Sequence, residues 1–169
     1  MQKTLLLYSR ICPTESQFTV KIFDSLKNLP NITAVKLDGY QPFDIAKEQE
    51  FIKSFDNVII LFTMNWFNLP WNFVRYMAEV WRTGPFNLEG INFYTVVTTG
   101  SPRKTYSDEG FGWTASQYLN NLSSVFKRLK ANYNKQFFFY ECMNKKPIDT
   151  DFEQYIEEVK TYYLKNINK

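Results

Sequence analysis

The sequence predicts an α/β protein: a five-stranded parallel sheet in the order 2-1-3-4-5, covered by helices on both faces as a three-layer α/β/α sandwich. Three observations predict it. Strand-like apolar runs and amphipathic helical runs alternate five times with short turns, the pattern of a parallel sheet whose crossovers are helices. The run Val58-Ile-Ile-Leu-Phe62 is apolar without alternation, so that strand is buried on both faces. Finally, 169 residues with 44% hydrophobic and 22% charged side chains suit one domain, residues 1–169, with no repeat, linker or low-complexity tract.

The elements follow in order. Thr4–Tyr8 is the first strand. Gln17–Asn28 is a helix with Ser16 at its N-cap and Phe18, Ile22 and Leu26 at four-residue spacing; Pro30 ends it. Ile32–Leu37 is the second strand, closed by Asp38-Gly39, and Phe43–Lys53 a short amphipathic helix. After the third strand, Val58–Phe62, Pro70 pre-sets the backbone for a helix over Trp71–Arg82, which Gly84-Pro85 stops. Ile91–Val97 is the fourth strand. Thr114–Asn132 reads as a long helix with Tyr118, Leu122, Val125 and Leu129 on one side, and Gln136–Glu141 as the fifth strand. Thr150-x-x-Glu153 forms a capping box opening the last helix, whose buried stripe is Phe152, Ile156, Val159 and Tyr163.

Composition excludes several kinds of chemistry. The net charge is +3 and no Lys/Arg cluster interleaves with aromatics, which argues against nucleic acid as a partner. Cys12 and Cys142 are too few and too far apart in sequence for a disulfide scaffold or a zinc site, and Cys12 is expected to be exposed in a loop. No signal peptide precedes the first strand and no apolar run approaches the ~20 residues that span a bilayer, so a cytoplasmic protein is expected. The chain has no histidine, which removes histidine triads, histidine–metal sites and the usual base near neutral pH. Chemistry must come from Tyr, Cys, Lys or carboxylates, or from a bound cofactor.

In a 2-1-3-4-5 sheet the first, third and fourth strands are neighbours, and ligands bind outside their carboxyl ends. The loop Ser9–Thr19 leads into a helix N-terminus, where free N–H groups favour a phosphate; Ser16 and Thr19 add hydroxyls and Arg10 adds charge. It has no glycine, so it is neither a P-loop nor a dinucleotide fingerprint, and alone it reads equally as ordinary helix capping. The second loop, Thr63-Met64-Asn65-Trp66-Phe67, suits a planar ring better than a sugar or an ion. The third is Thr98-Thr99-Gly100-Ser101, followed by Tyr106. Aromatics beside a strand end are more often core than site. Three such loops at neighbouring strand ends favour a site.

The motifs resemble those of the flavodoxin-like NAD(P)H:quinone oxidoreductases, particularly short bacterial members related to the ancillary protein of glutathione-gated potassium efflux. Glu48-Gln49, Asp56-Asn-Val-Ile-Ile-Leu-Phe62 and Trp66-Phe67-x-x-Pro70 resemble the family's aromatic-loop motif, and Val96-Val-Thr-Thr-Gly100 with Tyr106-Ser107 and Gly110 its glycine–tyrosine motif. The match runs along nearly the whole chain. The resemblance implies a flavin site. Ser16, Gln17, Phe18 and Thr19 would hold the phosphate. Thr63, Met64, Asn65, Trp66 and Phe67 would line one edge of the isoalloxazine, near N5. Thr98, Thr99, Gly100 and Ser101 would cradle its pyrimidine end, and Tyr106, the catalytic residue, would reach the O2/N1 region. It also implies hydride transfer from NADPH or NADH through flavin N5 to a quinone or similar aromatic acceptor. A homodimer would form through the helix after the third strand, whose Trp71, Phe73, Val74, Met77, Val80 and Trp81 exceed one buried stripe; the alternative is a helix buried inside the monomer.

Departures accompany the resemblance. Ser9-Arg10 stand where the family often has His-Pro, Thr19 where Asn is common, Thr63 where a proline is usual, and Gly110-Phe-Gly-Trp113 near the family's active-site histidine. FMN is expected rather than FAD, because the chain ends at Lys169 soon after the last helix with no added segment to cover an adenine. The alternative function is that of a flavin-binding regulatory partner, associated peripherally with a membrane transporter, whose reductase activity is incidental. An electron-carrying flavodoxin fits less well, since those carriers are strongly acidic with a Ser/Thr-Gly-rich phosphate loop.

Overall fold

The computed structural model describes residues 2–10 and 14–168; Cys12 therefore lies outside the described residues. The strands β1 (Thr4–Ser9), β2 (Ile32–Lys36), β3 (Asn57–Met64), β4 (Asn92–Thr99) and β5 (Asn132–Phe139) form one parallel sheet in the order β2-β1-β3-β4-β5. This is the order expected from the sequence. Side chains on successive strand residues point to opposite faces, and the strands sort accordingly. Leu5, Leu7, Val58, Ile60, Phe62, Phe93 and Val97 enter one core, and Leu6, Tyr8, Ile59, Leu61, Tyr94 and Val96 the other.

Helices α1 (Gln17–Leu26) and α5 (Thr150–Tyr162) cover the second core through Phe18, Ile22 and Leu26 and through Phe152, Ile156 and Val159. Helices α2 (Ile45–Lys53), α3 (Trp71–Tyr76) and α4 (Asn120–Arg128) cover the first through Ile52, Phe73, Tyr76, Leu122 and Phe126. Each such side chain contributes about 1.5–3 kcal/mol by leaving water. α3 continues into a wider turn over Met77–Trp81, where Arg82 N–H donates to Met77 O at 3.1 Å and the Gln49 side-chain amide binds Val80 O at 2.6 Å. A similar turn, Tyr163–Ile167, extends α5.

The register levels the strand ends that carry the site: Ser9 lies opposite Phe62, and Thr63 and Met64 opposite Thr98 and Thr99. A buried polar link holds the ends of β1 and β2 to α3. Ser9 Oγ donates to Asn72 Oδ1 at 2.7 Å, and Asn72 Nδ2 donates to Leu37 O at 3.2 Å.

Several boundaries differ from expectation. α1 stops at Leu26 rather than Asn28, and α2 starts at Ile45 because Asp44 caps it, accepting from Lys47 N–H at 3.3 Å. β3 and β4 each reach two residues further, so Thr63, Met64, Thr98 and Thr99 are strand residues rather than loop. The long helix over Thr114–Asn132 is instead a short 3₁₀ turn, Gln117–Leu119, followed by α4, and its buried face runs through Leu119, Leu122, Phe126 and Leu129; Tyr118 and Val125 are half-buried. Lys130, at φ +60°, ends that segment and releases Asn132 into β5, four residues before the expected start. The capping box at Thr150 does not form. Asp149 is the N-cap residue, its carboxylate accepts from Lys146 N–H at 2.8 Å, and Glu153 pairs with Lys21 of α1.

Candidate active site

The end of β3 closes in a two-residue turn. Asn68 N–H donates to Asn65 O at 3.0 Å and Asn65 N–H to Asn68 O at 3.4 Å, with Trp66 and Phe67 between them at φ +47° and +63°. Two consecutive left-handed residues make a type I′ turn, where Asn-Gly is the usual pair. A bulky side chain there costs roughly 1–2 kcal/mol per residue. The Asn68 side chain braces the turn by donating to Trp66 O at 2.6 Å. Phe67 is also held by its ring, stacked on Tyr118 with centroids 4.7 Å apart and edge-on to Phe111 at 5.1 Å. Trp66 is left 82% exposed.

The end of β4 is held from the other side. The N–H groups of Glu141, Cys142 and Met143 donate to the carbonyls of Ser101, Thr99 and Gly100 at 3.0, 3.0 and 3.2 Å. Glu141 is itself left-handed at φ +71°, a third bulky residue in that region beside this cleft. With these carbonyls taken, the N–H groups of Gly100 and Ser101 remain; like those of Trp66 and Phe67, they have no protein acceptor among the described residues. A Cβ on Gly100 would come within 3.1 Å of the Met143 Cγ and Sδ, so Met143 lies tight against the bare backbone there.

Tyr106 follows a short turn over Arg103–Thr105 and packs among Phe67, Phe111, Tyr118 and Tyr140. Burial pushes its phenol above the ordinary tyrosine value, partly opposed by hydrogen bonding to Thr99 and Ser101. It is therefore a proton-bearing donor at neutral pH. Burial likewise pushes the Cys142 thiol up to about 12, which keeps it protonated and unreactive.

These loops enclose a cleft of about 410 Å³. Of the residues expected there, Met64, Asn65, Trp66, Phe67, Gly100, Ser101 and Tyr106 line it. Thr63, Thr98 and Thr99 do not. Thr63 and Thr98 share a hydrogen bond of 2.8 Å between their hydroxyls, and Thr98 and Thr99 are fully buried. Phe111 and Met143 line the cleft too, and the sequence reading missed both. For Phe111 the sequence held two signals, the glycines on either side of it and the place of Gly110-Phe-Gly-Trp113 near the histidine of the family it resembles.

The start of α1 is built from backbone. Ser16 is the N-cap residue with its hydroxyl unused for capping, and the first intrahelical bond is Val20 N–H to Ser16 O at 3.0 Å. The N–H groups of the first turn have no acceptor among the described residues, and Gln17 is exposed. Two side chains expected at a phosphate turn inward instead. Phe18 packs on Phe139 and Phe152, and Thr19 is buried, donating to Ser16 O at 3.0 Å and sharing a 3.0 Å hydrogen bond with Tyr8.

Residues 3–163 match the family described as the flavodoxin-like fold. The chain belongs to this family. It is 28% identical over 119 residues to the glutathione-regulated potassium-efflux system ancillary protein KefG of Cronobacter sakazakii, a match spanning 64% of this chain and only 64% of that relative's length. The NADPH-quinone reductase of P. pentosaceus superposes with a TM-score of 0.82 at 20% identity, covering 98% of this chain and 99% of its own. General stress protein 14 of Treponema denticola, solved in complex with FMN, gives 0.81 at 21% identity, covering 95% and 97%. At these identities the superpositions establish the flavodoxin-like fold. Among the described residues no helix is long and apolar enough to cross a membrane.

Proposed function

We propose that the chain is a flavin-dependent oxidoreductase that uses NADPH or NADH to reduce quinones or related aromatic acceptors. The observation that carries this reading is the cleft at the ends of β3 and β4, where apolar walls flank four backbone N–H groups without protein acceptors among the described residues. That donor set fits a flavin, a flat ring system with hydrogen-bonding atoms along one edge. The N–H groups at the start of α1, with Ser16 and Gln17, fit its phosphate. FMN is the proposed form and FAD the alternative; the FMN complex of general stress protein 14 supports the former.

Bound there, the flavin supplies hydride chemistry between the nicotinamide and the acceptor, at N5. The protein's part is positioning and charge. The N–H groups of Gly100 and Ser101 and the Tyr106 hydroxyl stabilise negative charge on a reduced ring. Phe67, Phe111 and Met143 keep water off it. The overall conversion is quinone plus NAD(P)H plus a proton to hydroquinone plus NAD(P)⁺. Among the described residues lining the cleft, Tyr106 is the proton-bearing side chain, in exchange with solvent.

A two-fold dimer through α3 belongs to the same proposal. Trp71 and Val74 are 43% and 46% exposed, and an apolar groove of about 340 Å³ lies along Val74, Met77, Trp81, Val125 and Leu129. A second copy is the occupant this face suits, because α3 starts directly after the aromatic turn and a partner there would also border the cleft. The expected setting is cytoplasmic. The likeness to KefG favours one second reading, a flavin-binding regulator seated on a membrane transporter.

The test is anaerobic addition of NADPH, then of a quinone, to the purified protein loaded with FMN. Bleaching of the yellow colour and its return with hydroquinone supports the enzyme. A flavin-loaded protein that no nicotinamide reduces contradicts it and leaves the regulatory reading.

A further inference from the structure

Resting on the reading of the cleft as a flavin reductase site, we propose that Phe111 selects the acceptor: its ring, fixed at the mouth of the cleft, stacks on uncharged planar acceptors, while anionic ones are rejected. The chain spends several interactions on holding this one ring. Phe111 N–H donates to Thr105 O at 2.8 Å, and Phe111 O accepts from the Tyr118 hydroxyl at 2.6 Å. On one side Gly110 passes so close to Thr105 that a Cβ would lie 2.2 Å from the carbonyl oxygen; on the other Gly112 takes φ +87°. A side chain would clash at Gly110 and strain the backbone at Gly112, and both glycines present the residue between them.

The ring itself is half committed. It stands T-shaped to Phe67 at 5.1 Å and to Tyr106 at 5.4 Å, with interplanar angles of 69° and 81°, yet the residue is 42% exposed and lines the cleft. An aromatic ring held by its backbone and by two T-shaped contacts, with its remaining surface open to a ligand site, has already lost the mobility that stacking would otherwise cost. Trp66 and Met143, each 82% exposed, extend this apolar rim. Such a cluster of exposed apolar groups marks a binding surface.

Charge decides the other half of the preference. Among the described residues, the cleft lining contains no Lys, Arg, Asp or Glu. Arg103, close in sequence, turns its guanidinium to the Tyr140 ring, 6.0 Å from the centroid. An anionic acceptor would therefore lose water with no counter-charge to replace it. The net charge of +3 draws anions from a distance, but the backbone donors of the cleft are taken by the flavin in this reading and no cationic side chain among the described residues lines it.

The experiment compares 1,2-naphthoquinone with 1,2-naphthoquinone-4-sulfonate, which differ by one anionic group on the same ring. Binding to the flavin-loaded protein is read without nicotinamide, by quenching of tryptophan fluorescence, and kcat/KM is read separately. Nicotinamide oxidation is common to both acceptors and cancels in their ratio. The wild type is expected to favour the neutral quinone by about tenfold or more in both readouts. Phe111→Ala should weaken the neutral quinone by about three- to tenfold, and Phe111→Arg should narrow or invert the ratio. Equal handling of the two acceptors by the wild type overturns the proposal, as does a ratio unmoved in both variants. If those variants fail to fold, the wild-type pair and the apolar Phe111→Leu variant still decide it. A protein whose flavin no nicotinamide reduces, by contrast, overturns the reductase reading and leaves the binding comparison standing.

Discussion

The two ends of the candidate site are made of different material. At the ring end, side chains carry the construction: Phe67, Phe111, Tyr118 and Tyr106 interlock, and Trp66, Phe67 and Glu141 sit in left-handed conformations that only surrounding contacts maintain. At the phosphate end, the available groups are main-chain N–H donors, while Phe18 and Thr19 turn their side chains into the core. The ring end should therefore be sensitive to side-chain truncation, and the phosphate end to added charge but not to truncation.

Alkali should break both ends and give the largest effect. Tyr8 beside α1, and Tyr106 and Cys142 beside the cleft, are all pushed up by burial. A raised value means the folded chain holds its proton more tightly than the unfolded chain. For Cys142, raised from 9.0 to about 12, that stability is fully present below pH 9 and is lost as pH climbs through 12. With no histidine to titrate, the melting temperature should be flat from about pH 6 to 8 and fall steadily above about 9. A transition near pH 6.5 would contradict this.

Phe67→Ala comes next, with about 3 kcal/mol lost in chemical denaturation and weaker flavin retention, because it removes the ring that pins a strained turn. A loss below about 1 kcal/mol would mean the backbone holds the turn unaided. Gln17→Glu tests the opposite end. A carboxylate in the first turn of α1 should stabilise the free protein by about 0.3–1 kcal/mol, yet reduce FMN affinity by about tenfold through repulsion of the phosphate. Gln17→Ala should change FMN affinity hardly at all; if it matches the Glu variant, side chains rather than backbone hold that end. The smallest change is expected from Trp66→Asn. It exchanges an exposed indole for a residue at ease in the left-handed region, and should raise stability by up to about 1 kcal/mol while removing part of the apolar rim.

The same contrast explains what was legible in the sequence. Strand order followed from alternation, and Val58–Phe62 stood out because a strand buried on both faces needs no polar positions. The cleft loops were visible because Trp66, Phe67, Gly100 and Ser101 follow such strands directly. Met143 was not visible because long-range bonds put it in place, the 141–143 turn to the carbonyls of 99–101, and Phe111 was not, because irregular local bonds to Thr105 and Tyr118, which follow no helix or strand period, fix it. Thr19 misled because a hydroxyl in a first turn looks like a phosphate donor until burial next to Tyr8 turns it inward. The capping box failed because Asp149 precedes Thr150, takes the N-cap position itself, and leaves Glu153 to Lys21.

The most direct test of the whole account is titration of the flavin-free protein with FMN and with riboflavin, followed by flavin fluorescence. A ring cleft joined to a backbone phosphate seat predicts saturable quenching by one FMN per chain, and binding of riboflavin weaker by about tenfold or more for want of the phosphate. Equal affinity for the two would remove the phosphate seat at α1, and no saturable binding of either would contradict the flavin site itself.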